Sequence, residues 1–372
     1  MKRILILTTS TGQGHNIAAA SIENSFKNAG YEVIKHDFLK GNSKFLNDSF
    51  VEGYKILATK FPKLYGLLYD FTDSTYINKF LKIPFFITKL KVKKKIKKIK
   101  PDLIIATHSI SVNVIEDLKK NGLNIPYILV VTDFKAHYLY ISNYVDAYIT
   151  GSEYTKKTLI DRNIPESKIY PIGIPINKKF YTFTKKEDLV DKDNYFNILL
   201  MSGSFGLNDT SYVLKTLIKN NHKLRIIVVC GKNETLKNSL TEFIKRSEYT
   251  DKKIHILGFS TDIPYIMEYS DIIISKPGGL TVTESIVKNL PLIIPFSIPG
   301  QEKENIDFLV NSGCALCPST YDEINILVDN LIDNKDSFLS IKERLKSLSS
   351  TYSLSKIVSI GKNLIENFNN KK

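Results

Sequence analysis

Residues 271–305 read DIIISKPGGLTVTESIVKNLPLIIPFSIPGQEKEN, and this stretch decides the fold. The apolar run at 272–274 predicts a strand, and a Pro-Gly-Gly turn at 277–279 ends it. A helical pattern follows over 280–289, and residues 291–296 predict the next strand. A strand, a turn, a helix and a second strand in this order indicate an α/β fold with a parallel sheet.

The glycine turn is a candidate phosphate site. Gly278 and Gly279 have no Cβ atom to keep a ligand off the backbone. The first amides of the following helix have no partner within the helix, so an anion fits there. Glu284 lies about one helical turn further on, within reach of a sugar hydroxyl. An ordinary tight turn explains the same residues equally well.

A second loop, at 299–305, follows the next strand and opens on the same edge of the sheet, where α/β folds bind ligands. Gln301 and Glu302 in this loop are therefore expected to reach a donor sugar.

These two loops together resemble a known family. Lys276-Pro-Gly-Gly-Leu-Thr-Val-Thr-Glu284 and Pro299-Gly-Gln-Glu-Lys-Glu-Asn305 are similar to the nucleotide-sugar signature of processive diacylglycerol glucosyltransferases and monogalactosyldiacylglycerol synthases. The resemblance implies an inverting glycosyltransferase of the GT-B fold, in which two Rossmann-like domains with parallel sheets face an interdomain cleft. It also implies that Gly278, Gly279, Leu280, Thr281, Glu284, Gln301, Glu302 and Asn305 bind the nucleotide sugar.

The composition is that of a globular protein of two domains. The chain has 372 residues, of which 43% are hydrophobic and 24% charged, and this length accommodates two cores. No uncharged apolar run approaches the length of a membrane span. The N-terminus enters a strand pattern directly, without a signal-peptide cleavage region, and three cysteines fit a reducing compartment. We therefore expect a cytoplasmic protein.

The positive charge is concentrated in one half of the chain. Residues 1–180 carry 28 Lys and Arg against 15 Asp and Glu, whereas residues 181–372 carry 24 against 23. The first half is therefore expected to contact something anionic.

The first strand pattern, at 2–8, leads to Gly12-x-Gly14 and His15, and a helix is predicted from Asn16 to Asn28. Ile17 stands where a dinucleotide-binding turn has its third glycine, which argues against an oxidoreductase, the alternative enzyme class. The residues alone favour a helix-capping or loop histidine at this position. The family resemblance implies that Gly14 lies near the donor and that His15 is the general base that deprotonates the acceptor.

A basic amphipathic helix is predicted around 89–100. Phe86, Leu90, and Ile96 or Ile99 are expected on one side, with lysines elsewhere. A solvated surface, a nucleic-acid site and an anionic membrane surface are the alternatives. The membrane is favoured because the chain has no recognisable nucleic-acid motif and the family's acceptor is a lipid. The residues expected there are Phe85, Phe86, Lys93, Lys94, Lys95, Lys97 and Lys98.

The strand predicted at 127–132 delivers Asp133 to the sheet edge, with His137 four residues later. Contact of Asp133 with His15 or His137 would orient an imidazole, although Asp133 is equally suited to cap the following segment. The family resemblance implies that His137 and Tyr138 lie near the acceptor and that Asp133 belongs to the catalytic group.

A second α/β unit begins at Phe196. The resemblance implies that its first loop, Ser202, Gly203, Ser204, Phe205 and Gly206, faces the diphosphate, and that Phe259 lies near the nucleotide base. Asp191-x-Asp193 matches the metal-binding pair of other glycosyltransferases, but it lies in a polar connector and not at a strand end. We therefore expect neither a metal nor another cofactor.

The predicted domains are an acceptor domain at 1–178, a linker at 179–194, a nucleotide-sugar domain at 195–345 and a C-terminal helix at 346–372 that returns to the first domain. The implied activity moves a hexose, glucose before galactose, from a UDP-sugar to diacylglycerol or its glycosylated product on the inner face of the cell membrane. Transfer of N-acetylglucosamine to another lipid is the alternative within the family. A non-catalytic membrane-binding module is the alternative outside it.

Overall fold

A computed structural model describes residues 1–9, 13–38, 61–73, 86–183, 194–201 and 209–370. The chain forms two compact units. Unit 1 comprises Met1–Lys178, Ile298–Glu304 and Thr351–Lys372, and unit 2 comprises Lys179–Ser297 and Asn305–Ser350. The short segment 298–304 thus lies with unit 1, although its neighbours in the chain belong to unit 2.

Each unit contains one six-stranded sheet in which every strand pair is parallel. The strand order is β2-β1-β3-β4-β5-β6 in unit 1 and β12-β11-β10-β7-β8-β9 in unit 2. The predicted α/β class with parallel sheets is confirmed. The strands are β1 Arg3–Thr8, β2 Glu32–Asp37, β3 Leu103–Ala106, β4 Tyr127–Val130, β5 Ala147–Ile149, β6 Ile169–Tyr170, β7 Phe196–Met201, β8 Leu224–Val229, β9 Lys252–Leu257, β10 Ile272–Ser275, β11 Leu292–Ile293 and β12 Ala315–Leu316.

The α-helices connect and cover these strands. They are α1 Gln13–Asn28, α2 Pro62–Thr72, α3 Phe86–Ile99, α4 Ile110–Lys120, α5 Glu153–Ile160, α6 Asp209–Ile218, α7 Glu234–Arg246, α8 Ile263–Tyr269, α9 Gly279–Val287, α10 Gln301–Asn311, α11 Glu323–Asp333, α12 Lys335–Ser349 and α13 Leu354–Asn369. Short 3-10 turns lie at Tyr138–Tyr140, Glu166–Lys168 and Lys178–Tyr181.

The core of unit 1 has two layers, one on each face of its sheet. Leu5 and Leu7 of β1 point into the layer that contains α3 and α4. Ile4 and Ile6 point into the other layer, which contains α1 and α13. Because alternate residues of a strand face opposite sides, a continuous aliphatic run is what a strand covered on both faces requires.

The C-terminal helix α13 packs in this second layer. Ile357 and Ile365 are buried there, and a Cβ atom at Gly361 would meet Phe26 at 2.8 Å and Leu103 at 3.0 Å. The helix therefore approaches the sheet as closely as only glycine allows.

Two helices begin earlier than predicted. α1 begins at Gln13 instead of Asn16, so Gly14 and His15 lie in its first turn and not in a loop. Glycine has low helix propensity, but here the Thr107 hydroxyl donates to the His15 carbonyl at 3.1 Å and anchors that turn. α10 begins at Gln301, inside the segment 299–305 that the sequence predicts to be a loop. The polar sequence of this turn has no apolar periodicity to indicate a helix.

The apolar side of α3 differs from the prediction. Val92, Ile96 and Ile99 are buried in the core of unit 1, whereas Leu90 is 49% exposed. The buried side is the one that meets the sheet, since this helix packs on the layer formed by Leu5 and Ile104. The apolar stripe of α3 is thus used within the protein.

Candidate active site

His15 lies at the carboxyl edge of the unit 1 sheet, in the first turn of α1. Its Nδ1 is 2.6 Å from the carbonyl oxygen of Thr107, the residue after β3. A carbonyl only accepts, so Nδ1 carries the proton and donates. Nε2 is then the unprotonated nitrogen, which is the arrangement that a general base requires.

The electrostatics of His15 favour the neutral ring. Burial lowers its pKa to about 4, and the bond to the Thr107 carbonyl only partly opposes this. The ring of His108 lies beside it, with 4.4 Å between the ring centroids. Burial holds the pKa of His108 well below its usual value, so His108 adds no positive charge. His15 is therefore able to accept a proton at neutral pH.

Asp133 contacts neither of the histidines that the sequence analysis paired with it, within the described ranges of the chain. Its Oδ1 accepts a hydrogen bond from the Gln301 side-chain amide, and its Oδ2 accepts one from the Tyr140 hydroxyl at 3.4 Å. The prediction of a direct carboxylate–imidazole contact is wrong because a backbone carbonyl takes the place beside His15. Burial raises the pKa of Asp133 to about 6.

His137 is 4% exposed and holds neighbouring structure together. Its Nδ1 accepts from the Leu139 amide at 3.1 Å, so Nε2 carries the proton and lies 3.2 Å from the Tyr69 carbonyl of α2. Burial lowers the pKa of His137. Both ring nitrogens are thus occupied within unit 1. The adjacent Tyr138 ring lies under the Arg162 guanidinium, at 4.1 Å from the ring centroid.

The glycine turn of unit 2 has the geometry of an anion site. Gly278 is the N-cap of α9 with an extended φ of −65°, and a Cβ atom placed on it would meet nothing within 4 Å. The first bond along the helix runs from the Val282 amide to the Gly278 carbonyl at 2.9 Å. The amides of Gly279, Leu280 and Thr281 precede it and lack an acceptor in the helix.

Glu284 projects from the second turn of α9 and is 9% exposed. Its carboxylate has no hydrogen-bond partner in the part of the chain that the structure describes. Burial raises its pKa to about 8. A buried carboxyl group without donors is costly, and the hydroxyls of a ligand would supply those donors.

Side chains of the first turns of α10 form hydrogen bonds within the protein. The Glu302 carboxylate accepts from the Ile298 amide at 2.7 Å. The Asn305 side chain is 1% exposed and donates to the Pro277 carbonyl at 2.8 Å. Asn305 therefore stabilises the glycine turn through the backbone of Pro277. Gln301, half-buried, is the residue of this predicted group that donates to Asp133.

Other predicted site residues lie apart from these groups or cannot be placed. Phe259, after β9, is 61% exposed, and the Lys232 ammonium lies 5.9 Å from its ring centroid. Of the lysines of α3, Lys95 is half-buried and the others predicted to contact a membrane are exposed. The residues outside the described ranges are Ser202, Gly203, Ser204, Phe205, Gly206, Phe85, the side chain of Phe86 and the Asp191-x-Asp193 pair.

Three residues at this edge were not among the predicted site residues. Thr107 follows β3, Thr132 follows β4, and Tyr140 lies in the 3-10 turn beyond it. Thr132 lies 3.3 Å from His15 Nδ1 and 3.3 Å from the Tyr140 hydroxyl. The position of Thr107 and Thr132 at the carboxyl ends of strands could have identified them, since polar residues that follow neighbouring parallel strands meet at one edge of the sheet.

Models of two protein families match the chain. "Monogalactosyldiacylglycerol (MGDG) synthase" matches residues 15–176, and "Glycosyltransferase family 28 C-terminal domain" matches residues 197–364. The chain is a glycosyltransferase with these two domains. The resemblance inferred from the two loops is thus confirmed, as is the enzyme class, a UDP-sugar-dependent hexosyltransferase. The first match begins at His15 itself.

Two similar proteins from Bacillus align over nearly the whole chain. The processive diacylglycerol beta-glucosyltransferase of Bacillus pumilus is 29% identical over 352 residues, which covers 93% of this chain and 91% of the relative. The protein of the same name from Bacillus subtilis is 29% identical over 353 residues, with the same coverage.

Solved structures share the fold at low sequence identity. MurG of Acinetobacter baumannii has a TM-score of 0.64 and 14% identity, and the match covers 98% of this chain and all of MurG. HepE of Anabaena, solved in complex with UDP and glucose, has a TM-score of 0.57 and 14% identity, with full coverage of both chains. The GT-B fold expected for the family is confirmed.

Proposed function

We propose that this glycosyltransferase moves a hexose, glucose in the first instance, from a UDP-sugar to the hydroxyl of diacylglycerol or of its glycosylated product, with inversion at the anomeric carbon. The names of the Bacillus relatives and the UDP and glucose bound to HepE support this choice of substrates. The observation that carries the proposal is His15, whose Nδ1 is committed to the Thr107 carbonyl while Nε2 stays available as a base.

The acceptor is activated in unit 1. Nε2 of neutral His15 takes the proton of the acceptor hydroxyl as the oxygen attacks the anomeric carbon. The bond from the anomeric carbon to the UDP oxygen breaks, and its electron pair leaves with UDP. The lowered pKa of His15 keeps the base unprotonated throughout the neutral range.

The donor is bound in unit 2. The first-turn amides of α9 bond the diphosphate, and Gly278 allows its oxygens to approach the backbone because no side chain projects into the open space there. Glu284, buried one turn further along α9, accepts from the ribose hydroxyls and thereby gains the donors that it lacks in the described part of the protein.

The N-terminus of α9 also stabilises the leaving group. Its aligned peptide dipoles provide a fixed positive potential for the charge that develops on the diphosphate. We propose that this potential serves where other glycosyltransferases use a divalent cation. Excess EDTA should then leave the turnover number unchanged.

A panel assay tests the proposed function. The enzyme is mixed with diacylglycerol in micelles and with UDP-glucose, UDP-galactose or UDP-N-acetylglucosamine in turn, and the product lipids are identified by mass spectrometry and by the anomeric coupling constant. A β-glucosyl product from UDP-glucose is expected. Transfer from UDP-N-acetylglucosamine alone, or no transfer to diacylglycerol, would overturn the assignment of substrates.

Membrane association is part of the proposal, because the acceptor is a lipid. No helix within the described ranges is apolar over enough residues to cross a bilayer. The outer side of α3 instead presents exposed lysines, each of which contributes about 1 kcal/mol near an anionic surface. Helix α2 adds an apolar contact, since its exposed side chains include, besides Lys63 and Asp70, the apolar residues Leu64, Leu67, Leu68 and Phe71 at 48%, 69%, 43% and 65% exposure.

Vesicle binding separates these two contributions. The double substitution Lys93→Glu and Lys97→Glu should weaken binding to vesicles containing phosphatidylglycerol by roughly tenfold at low salt, and the difference should shrink at high salt. Leu67→Ser with Phe71→Ser should weaken binding at both salt concentrations. The control is Lys335→Glu with Lys346→Glu, two exposed lysines of α12. Equal effects of the two charge reversals would refute a specific role for α3.

A further inference from the structure

A line of side chains joins the proposed base to a buried carboxylate, entirely within unit 1. His15 Nδ1 lies 3.3 Å from the Thr132 hydroxyl, which lies 3.3 Å from the Tyr140 hydroxyl. Tyr140 donates to Asp133 at 3.4 Å, and Gln301 donates to the other oxygen of Asp133. Hydrogen bonds of this length are at the long end, as is common in sites without substrate.

The donors along this line all point the same way. His15 Nδ1 carries one proton, which it donates to the Thr107 carbonyl at 2.6 Å, and the Thr132 hydroxyl oxygen at 3.3 Å shares this proton as a second acceptor. A protonated Nδ1 cannot accept, so the hydrogen of Thr132 turns toward Tyr140. Tyr140 in turn directs its hydrogen to Asp133, which as a carboxylate only accepts. The dipoles of two hydroxyls are therefore aligned between the imidazole and the carboxylate.

We propose that Asp133 acts on His15 through Thr132 and Tyr140, as the counter-charge that stabilises the imidazolium formed during transfer, and that these three are positioning residues. The inference rests on the proposed role of His15 as the base. It replaces the direct contact expected from the sequence by a bridge of two hydroxyl groups.

No proton travels along the bridge. If Nδ1 gave up its proton, its lone pair would face the Thr107 carbonyl oxygen at 2.6 Å, and two acceptors at that distance repel. Nδ1 therefore keeps its proton, Nε2 carries the one taken from the acceptor, and the bridge acts only through orientation and potential.

Among His15, Tyr140 and Asp133, the residue that titrates in the weakly acidic range is Asp133. His108 beside His15 is neutral, because burial holds its pKa well below its usual value. Tyr140 stays protonated, because burial and Asp133 raise its pKa. Glu302 and Tyr69 are the other groups near Asp133. The charge of Asp133 changes near pH 6, well above the pKa of about 4 for His15.

The test is the pH dependence of kcat at saturating substrates in wild type, Thr132→Val and Thr132→Ser. Wild type should gain about tenfold in kcat as the pH rises through 6, because Asp133 becomes charged. Thr132→Val removes the hydroxyl while keeping the shape, so its kcat should be about tenfold lower at pH 7.5 and show no step near pH 6. Thr132→Ser keeps a hydroxyl and should keep the step.

The remaining outcomes decide against the bridge or against the base. A step that persists in Thr132→Val, or that is lost equally in Thr132→Ser, would overturn the bridge. Tyr140→Phe breaks the next link and should behave like Thr132→Val, which covers the case in which the valine variant does not fold. Failure of the proposed base is recognised separately, since His15→Ala would then retain full kcat.

Discussion

The polar side chains of the two candidate sites differ in their hydrogen bonding: those in unit 1 have partners within the protein, whereas Glu284 in unit 2 has none among the described residues. In unit 1, His15, Asp133 and His137 each have hydrogen-bond partners from the chain. In unit 2, the carboxylate of Glu284 is buried without a partner among the described residues, and the space beside Gly278 is open. The difference agrees with the proposal that unit 1 holds the catalytic base in position, whereas the site in unit 2 receives its missing hydrogen-bond donors from a ligand.

The two halves of the chain also differ in net charge. The excess of Lys and Arg lies in residues 1–180, while the rest of the chain is close to neutral. This distribution agrees with the proposal that the diphosphate of the donor is bound by backbone amides at the N-terminus of α9 in unit 2. It agrees equally with the proposal that the cations of unit 1 contact an extended anionic surface.

The largest effect is expected from His15→Ala. Removal of a general base should lower kcat by about 100- to 10,000-fold. The affinity for UDP, measured by isothermal titration calorimetry, should stay within about twofold, because His15 belongs to unit 1 and the proposed nucleotide site to unit 2. A parallel loss of UDP affinity would mean that the two units do not divide the work as proposed.

Glu284→Ala should act on the donor. Loss of bonds between a carboxylate and the ribose hydroxyls should weaken UDP binding by about 10- to 100-fold. Glu242→Ala, which removes an exposed glutamate of α7 with only a surface ion pair, is the matched control and should bind UDP normally. If Glu284→Ala bound UDP as tightly as the control, the open site of unit 2 would lie elsewhere.

Gly278→Ala gives a smaller effect of the same kind. The added methyl group meets no protein atom and the φ of −65° suits alanine, so the folded state should be as stable as wild type or slightly more so. UDP binding should weaken by about tenfold, because the methyl group occupies the space assigned to the phosphate. Unchanged affinity together with unchanged thermal stability would place the phosphate away from this turn.

Glu284→Gln gives the smallest effect, on stability without ligand. The pKa of Glu284 is about 8 in the folded protein, raised from the usual value of 4.5, so the folded state binds more protons than the unfolded state between pH 4.5 and 8. The stability of the wild type therefore falls as the pH rises from 4.5 to 8 and is lowest, as far as Glu284 contributes, above pH 8. The uncharged glutamine escapes this loss, and its melting temperature should exceed that of wild type by about 2–4 °C at pH 9 but not at pH 5. Equal differences at both pH values would contradict a raised pKa.

Much of the fold was predictable, because aliphatic strands buried on both faces and glycine turns are local signals. The strand at 272–275 and the helix after Gly279 follow directly from their residues. The starts of two helices were not predicted, because their sequences are polar or rich in glycine and lack an apolar periodicity. The first turns of α1 and α10 were taken for loops, because their stability comes from contacts with distant residues such as Thr107 and, for Gln301, Asp133.

The sequence by itself determined the class of enzyme, because the glycines, Glu284 and the Gln-Glu pair that carry the family resemblance lie within one continuous stretch of the chain. Only the tertiary structure decided the partners of the base. Thr107, Thr132 and Tyr140 lie 92, 117 and 125 positions from His15 in the numbering, and no pattern along the chain relates them. They meet because parallel strands deliver their carboxyl ends to one edge of a sheet, which makes neighbours of residues that are remote in sequence.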